Sequence, residues 1–300
     1  MMGQYRNRTG VWLALAVLVL WACFIGATWL GTDMQHQPGE GEAKLSLNAA
    51  QSQTVRKVVI DASVYGNPLE GVQRGVDKVK VLVTDAPDIA LYYDKRYFSE
   101  RMEQPFTWEV QGDTLHIRQQ LGPDGEFARY ATFTLYLPPH VAVIQGLALD
   151  VALNNQRSLS KLELQGSILL LSGSERDRDQ ERPRTAPHVQ QLMLRAMTPL
   201  TPKKHEGDFK YANEAAHVSL SAELQLPHVQ LELGHGSADL FWQHMLDSDL
   251  QVAATPDSSV NLGAWGVQLQ RRVVSEAETR QWLQEMQAIW PASQAETAAR

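Results

Sequence analysis

Apolar and polar residues alternate along much of the chain beyond residue 55. The alternation is clear over 58–64 and returns in short stretches until Pro138-Pro139 stops it. Strict alternation is typical of strands that bury one face. Gln111-Gly112-Asp113 separates two of these stretches and predicts a hairpin turn. We therefore predict antiparallel β structure over residues 55–137.

Further along, the predicted strands become shorter and a tripeptide recurs. Pro-His-Val opens an apolar strand at three places, which are 139–141, 187–189 and 227–229. Two further strands contain Leu162 and Leu250, each 21 residues after the valine of a Pro-His-Val copy. A strand that recurs at this spacing predicts an irregular β-solenoid, in which each turn stacks on the last and shares a buried inner face. An irregular sandwich would contain a similar number of strands. Two charged or Pro- and Lys-rich segments, 174–186 and 198–210, interrupt the repeat and are predicted to be loops.

The C-terminal part predicts a helix over residues 275–290. Ser275 and Glu278 form a capping-box pattern. Large apolar residues follow at helical spacing on one side, namely Trp282, Leu283, Met286, Ile289 and Trp290. Pro291 ends the pattern, and 291–300 is predicted to be a disordered tail. We expect the helix to cap the open end of the solenoid, because a last turn exposes strand edges. The alternative is insertion of its two tryptophans into a membrane interface.

The N-terminal segment 11–30 contains no charged residue. A helix of twenty residues spans about 30 Å, the thickness of a hydrocarbon core. Arg6 and Arg8 precede the segment and the first charged residues after it are acidic, so the positive-inside rule places 1–10 in the cytoplasm and 31–300 across the membrane. We therefore predict a single-pass transmembrane anchor.

Two other processing routes remain open for this segment. A cleaved signal peptide would need a shorter apolar stretch and a small-residue cleavage site. Leu20-Trp21-Ala22-Cys23 resembles a bacterial lipobox, which would make the chain a lipoprotein acylated at Cys23. All three routes place the following domain outside the cytoplasm. Between the anchor and this domain, 31–54 is polar and predicts a linker, which leaves a β-rich domain over 55–274.

Charge and cysteine content exclude some functions for the predicted exported part. Without Arg6 and Arg8, the rest of the chain has 25 basic and 34 acidic residues, a net charge of −9. An acidic domain repels phosphate at long range, so we predict no nucleic-acid partner. Cys23 is the single cysteine, which excludes disulfides and thiol catalysis beyond residue 30.

The segment 231–270 resembles the auto-transporter adhesin head domain, known as the GIN domain family. Short apolar strands alternate there with a turn of Gly-Ser-Ala-Asp type over 234–240, and 162–174 has the same pattern. The resemblance covers roughly residues 55–270. It implies a β-solenoid-like domain at a bacterial envelope with a role in adhesion or surface interaction, and it supplies no catalytic residues.

Histidines and carboxylates are the only candidates for chemistry. Stacked turns would place His140, His188 and His228 in one column, and a column of imidazoles could bind a metal. Their spacing matches no zinc pattern, however, and a polar residue at the start of a strand is ordinary. Asp247 with Asp249, and Asp177 with Asp179, could act as acid and base, but acids two apart on a strand commonly form its solvated face. We therefore predict no catalytic, metal or cofactor site.

The sequence thus predicts a non-enzymatic envelope protein of the bacterial inner membrane. Its periplasmic domain is expected to bind an envelope protein or a cell-surface polymer. The rival prediction is an enzyme that acts on envelope polysaccharide. A membrane-tethered sensor is disfavoured, since ten cytoplasmic residues are too few for a signalling domain.

Overall fold

The computed structural model describes residues 42–61, 79–97, 105–119, 133–154, 158–173, 186–197, 216–221 and 223–285. The predicted cytoplasmic tail 1–10, the anchor 11–30, the loop 198–210 and the tail 291–300 lie outside these residues, as does nearly all of the loop 174–186. None of the helices in the described ranges has the length and apolarity needed to cross a bilayer.

The described residues form two nine-stranded sheets, which we call sheet A and sheet B. In spatial order, sheet A consists of β1 (Glu42–Ser46), β4 (Ala90–Asp94), β7 (Phe133–Leu137), β3 (Val79–Thr84), β9 (Ala148–Asn154), β11 (Ile168–Gly173), β13 (Ala216–Leu220), β15 (Gly236–Leu240) and β17 (Ser259–Leu262). Sheet B consists of β18 (Leu269–Val273), β16 (Asp249–Ala254), β14 (His228–Gly234), β12 (Val189–Met197), β10 (Leu159–Gly166), β8 (Val143–Gly146), β2 (Lys57–Asp61), β6 (Thr114–Gln119) and β5 (Phe106–Gln111).

From β8 to β18 the chain alternates between the two sheets. Each strand pairs in parallel with the strand two positions further along the chain, and β2 and β3 pair in parallel with β8 and β9. We call β2, β3 and β8–β18 the parallel stack. The predicted spacing of 21 residues is confirmed between Val229 and Leu250, which lie opposite each other in β14 and β16. It is wrong between Val141 and Leu162, because β8 and β10 are 20 residues apart in register, with Val143 opposite Glu163.

Antiparallel pairing is confined to one end of the sheets. It joins β1 to β4, β4 to β7, and β5 to β6. The predicted hairpin turn is confirmed between β5 and β6, where Gly112 has a φ of +63°. The prediction that all of 55–137 is antiparallel is wrong for β2 and β3, which lie in this range and pair in parallel. Alternation reports which face of a strand is buried, and it does not report the direction of the neighbouring strand.

Part of the predicted linker 31–54 is folded. Its residues 42–46 form β1, and a short helix, α1 (Ala49–Thr54), follows. The side chain of Asn48 caps α1 by accepting a hydrogen bond from the N–H of Gln51 at 2.8 Å. The hydroxyl of Ser52 accepts a hydrogen bond from the N–H of Ile89 at 3.1 Å and is buried. The linker prediction is therefore wrong for residues 42–54. It depended on their polar composition, and polar side chains also occupy the strand and helix positions here.

The core lies between the inner faces of the two sheets. One column of inward side chains crosses sheet B and is at most 2% exposed; it consists of Leu115, Val58, Ile144, Leu164, Leu194, Leu231 and Val252. Each such side chain stabilises the fold by roughly 2 kcal/mol through burial. Because equivalent residues of successive turns stack directly, apolar residues recur in the sequence at the length of one turn.

The C-terminal helix, α2 (Glu276–Glu285), begins at the predicted capping box. Ser275 Oγ accepts a hydrogen bond from the N–H of Glu278 at 3.3 Å, and Glu278 accepts one from the N–H of Ser275 at 3.1 Å. Its position differs from the prediction. Instead of covering the end of the stack, α2 packs on the outer face of sheet B, where Trp282 is buried in a small cluster with Met197 and Val274.

Candidate functional site

Helix α2 makes the outer faces of the two sheets unequal. On sheet B, Arg195 of β12 forms ion pairs with Glu232 of β14 and Glu285 of α2, and its guanidinium lies 5.9 Å from the ring centroid of Trp282. Partial burial acts to lower the pKa of Arg195, but the hydrogen bonds and charges of Glu232 and Glu285 together outweigh it and raise the pKa above its ordinary value. Sheet A carries no helix on its outer face among the described elements, so this face is the candidate binding surface.

One end of the outer face of sheet A is aromatic. Tyr92 of β4 and Tyr136 of β7 pack edge to face, with ring centroids 5.1 Å apart. Lys44 of β1 lies opposite Tyr92, and its Nζ is 5.4 Å from the centre of that ring. Both tyrosines are half-buried, whereas Lys44 is exposed. We call Lys44, Tyr92 and Tyr136 the aromatic end. It presents apolar ring surface, phenolic hydroxyls and a cation on neighbouring strands.

A row of mostly polar side chains continues from the aromatic end across sheet A. In the order of the strands, the row consists of Lys44, Tyr92, Thr134, Lys80, Asp150, Leu170, Ser219, Asp239 and Asn261. At its far end Asn261 Nδ2 donates to Asp239 Oδ1 at 3.2 Å. Nine strands at about 4.8 Å spacing give the row a length of about 38 Å. A surface of these proportions matches an elongated ligand that lies across the strands.

A second polar row lies beside the first on sheet A. His217 of β13 and Ser237 of β15 are opposite each other, with His217 Nδ1 3.1 Å from Ser237 Oγ. Both side chains are partly exposed. They add hydroxyl and imidazole groups to the part of the face that is distant from the aromatic end.

Hydrogen bonds from His235 to Thr255 and Asp257 hold the backbone at the turn from β14 to β15. His235 is the single residue between these strands and has a φ of +54°, which is uncommon for a residue with a side chain. Its N–H donates to Thr255 Oγ1 at 2.9 Å, and its Nδ1 lies 2.8 Å from Asp257 Oδ2. The hydrogen bond from His235 lowers the pKa of Asp257, against a smaller opposing effect of burial. The predicted Gly-Ser-Ala-Asp turn is therefore one residue long, because 236–240 form β15.

The structure does not place the three histidines of the Pro-His-Val repeat in one column. His228 lies opposite Gln191 of β12, and Gln191 is three residues after His188 in the sequence. Val143 and Met193 lie in the same row, because both are opposite Glu163. In this register His188 corresponds to Pro138, so His140 lies two residues beyond the row of His188. The ring Nε2 of His140 instead lies 2.9 Å from the carbonyl oxygen of Ser52. Within the described ranges, no three His, Cys, Asp or Glu residues are grouped closely enough to hold a metal ion.

The carboxylates weighed as catalytic pairs lie in different settings. Asp247 is in a 3-10 turn, and Asp249 begins β16, where Gln251 Nε2 donates to it at 3.1 Å. Asp177 and Asp179 lie outside the described residues. On the candidate surface, Asp150 and Asp239 are three strands apart, about 14 Å. Glycosidase carboxylates lie about 5–9.5 Å apart, so this last pair is too distant for that chemistry.

Sequence reasoning missed the aromatic end, although a signal for it was present. Ile89, Leu91 and Tyr93 recur with a period of two, which predicts the buried face of a strand. The same period of two directs Tyr92 to the opposite face. What alternation could not supply is the neighbour: Tyr136 is 44 residues away in sequence and reaches Tyr92 only because β4 pairs with β7.

Comparisons with known proteins give similarity to solved structures only. No family model matches the chain, and no curated protein is recognisably similar to it. A "putative adhesin" from Parabacteroides merdae is 11% identical, with a TM-score of 0.44, over 77% of this chain and 74% of that one. A second "putative adhesin", from Bacteroides fragilis, is 12% identical with a TM-score of 0.35 over 79% and 99%. A "putative lipid binding protein" from Parabacteroides distasonis is 7% identical with a TM-score of 0.31 over 78% and 98%. With TM-scores below 0.5, these likenesses assign neither a family nor an activity to this chain.

Proposed function

We propose that this chain is a membrane-anchored, exported bacterial envelope protein whose β domain binds a cell-surface polysaccharide without cleaving it. The observation that carries the proposal is the row of aromatic and polar side chains across the outer face of sheet A. Aromatic rings can pack on the apolar faces of sugars, while hydroxyl, amide and ammonium groups hydrogen-bond to their edges. The periplasmic location follows from the charge asymmetry around residues 11–30.

The form of the parallel stack supports an elongated scaffold. Consecutive strands from β8 onwards alternate between the sheets, with single residues at the turns Leu147, Ser167 and His235. We infer that the stack is an irregular β-solenoid, which gives it a long, flat side that repeats from turn to turn. Such a side suits an adhesin-like function, because a polymer can contact several turns at once.

The test is binding of residues 31–300 to polysaccharide purified from the envelope of the source bacterium, measured by biolayer interferometry. Combined Tyr92→Ala and Tyr136→Ala substitutions are expected to weaken binding at least 10-fold, about 1.4 kcal/mol. Gln251→Ala is the matched control, because Gln251 is an exposed residue on the outer face of sheet B. Equal affinities for the two variants would exclude the aromatic end as the site.

The rival function is a polysaccharide-cleaving enzyme. It predicts that incubation of the polymer with the domain releases new reducing ends. The binding proposal predicts none at any pH between 4 and 9. Time-dependent release that disappears in Asp247→Asn or Asp249→Asn would establish the enzyme and overturn the proposal.

A further inference from the structure

At the last turn of the parallel stack, the columns of inward side chains end in residues that are exposed to solvent. In one column of sheet B, Ala254 is fully buried, whereas the next residue, Val273 of β18, is 62% exposed. In the adjacent column Val252 is 2% exposed and is followed by the exposed Arg271. Leu269 of β18 is also only partly buried. The inner side of β18 therefore exposes two apolar side chains on either side of Arg271, whereas another strand covers the corresponding positions in every preceding turn.

The outer edge of β18 also carries backbone groups that pair with none of the described strands. No described strand pairs with this edge, because β18 is the terminal strand of sheet B. The N–H of Val274 donates to the carbonyl of Ala254 in β16 at 2.9 Å. Since successive N–H groups of a strand point in opposite directions, those of Arg271 and Val273 point away from β16. We call Leu269, Arg271 and Val273, with this free edge, the open end.

An exposed aromatic residue lies beside the open end. Trp265, in the connection between β17 and β18, is 98% exposed. Leu246 is 57% exposed and lies against the same connection, since its Cδ2 is within 3.9 Å of where a Cβ on Gly266 would be. Tryptophan, arginine and exposed strand edges are features that protein partners use for binding.

Charge indicates which partner fits. The guanidinium of Arg271 donates to the carbonyl of Ser258 at 3.2 Å and has no carboxylate partner among the described side chains. Its neighbour Arg272 is paired with Glu278 at 2.5 Å and points to the opposite face. A second copy of this chain is a poor occupant, because antiparallel self-pairing about the centre of β18 would place Arg271 opposite Arg271. A carboxylate on the incoming strand removes this repulsion.

We propose that the open end accepts an extended, acidic segment of a partner protein as an additional β-strand. Apolar side chains of the segment cover Leu269 and Val273, a carboxylate pairs with Arg271, and Trp265 packs against the residues beyond. This site is distinct from the polysaccharide surface of sheet A. It does not depend on that surface being functional.

The test uses two synthetic nine-residue peptides in which valine and threonine alternate from a valine at position 1, so that the central residue lies on the valine face. One peptide has glutamate at the central position and the other has lysine. Binding to residues 31–300 is followed by fluorescence anisotropy, and protection of the Arg271 and Val273 amides by hydrogen exchange. The glutamate peptide is expected to bind at least 10-fold more tightly than the lysine peptide. Arg271→Glu is expected to reverse this preference, and Trp265→Ala to weaken binding several-fold.

Backbone pairing is tested with a matched pair of variants. Val273→Pro removes an outward N–H but no hydrogen bond to β16, and proline is tolerated on such an edge. Val273→Ala shortens the side chain and keeps the N–H. Only the proline variant is expected to lose peptide binding and amide protection, with both variants melting as cooperatively as the parent domain.

Three results would overturn the proposal. The first is that neither peptide binds saturably to the domain. The second is that Val273→Pro and Val273→Ala bind the peptide with equal affinity. The third is a concentration-dependent dimer, or binding to anionic phosphatidylglycerol vesicles, that Trp265→Ala abolishes; this would assign the open end to a second copy or to a membrane. The Tyr92 and Tyr136 variants should bind peptide normally, and Val273→Pro should bind polysaccharide normally, so failure of one proposal is distinguishable from failure of the other.

Discussion

At the scale of single residues, close approach of neighbouring backbones decides several positions. A Cβ placed on Gly236 would lie 2.0 Å from the carbonyl oxygen of Ala216, and one on Gly166 would lie 2.2 Å from the carbonyl oxygen of Gly146. Both glycines stand next to single-residue turns between the sheets. The chain can change sheets in one residue there because these positions lack a side chain.

Gly236→Ala is therefore expected to destabilise the domain by about 3 kcal/mol, since a backbone carbonyl cannot move aside as a flexible side chain can. Urea unfolding of residues 31–300 measures this change. Gly112→Ala is the control. A Cβ on Gly112 meets nothing within 4 Å, so only its φ of +63° opposes the substitution, at a cost of about 1 kcal/mol. Equal losses in the two variants would contradict the close-approach argument.

The Asp257–His235 pair predicts a pH dependence at the same turn. Because the hydrogen bond from His235 lowers the folded-state pKa of Asp257, the carboxylate stabilises the fold above the unfolded pKa of about 3.9. This contribution disappears as the pH falls through the folded-state pKa. Asp257→Asn is therefore expected to lower the urea midpoint slightly at pH 7 and to have no effect once the pH is below that value. Asp247→Asn, at another exposed aspartate, is the control substitution.

At the scale of elements, α2 is fastened to sheet B through its first turn and through Trp282. Arg272 of β18, together with the N–H and hydroxyl of Ser275, lowers the pKa of Glu278 to about 2. A lowered pKa means that the ionised Glu278 favours the docked helix at neutral pH. The helix loses this contribution progressively as the pH falls below the ordinary glutamate pKa of 4.5 and through the folded-state value of about 2.

A carboxyl-carbon NMR titration should therefore place the midpoint of Glu278 near 2 in the parent domain. Arg272→Ala is expected to raise the midpoint, because it removes the largest cause of the shift. Arg280→Ala is the control, since Arg280 pairs with Glu276 and not with Glu278. An unchanged midpoint in Arg272→Ala would show that β18 and α2 are not coupled through this ion pair.

At the scale of the whole molecule, the anchoring prediction depends on the sequence alone. A reporter that is active only outside the cytoplasm, fused after Arg300, is expected to be active. Cys23→Ser should leave the protein in the membrane fraction, because twenty uncharged residues suffice to hold it there. A mature N-terminus at Cys23, or incorporation of labelled palmitate, would instead establish the lipoprotein.

The sequence by itself determined the local features of this protein. The period of two identified the buried face of most strands, the Gln-Gly-Asp tripeptide located the hairpin, and Ser275 with Glu278 located the start of α2. These features depend on residues a few positions apart, which is the range over which side-chain pattern and backbone geometry are directly linked. The recurrence near 20 residues also revealed that Val229 and Leu250 lie opposite each other.

Only the tertiary structure decided which distant residues meet. It paired β2 with β8 in parallel, folded residues 42–54 into β1 and α1, and offset the three Pro-His-Val histidines from one another. It also placed α2 on sheet B, which left both the outer face of sheet A and the edge of β18 uncovered by any described element. The physical reason is that strand direction, register and helix docking depend on loop lengths and on packing between residues far apart in sequence, which alternation along one strand does not encode.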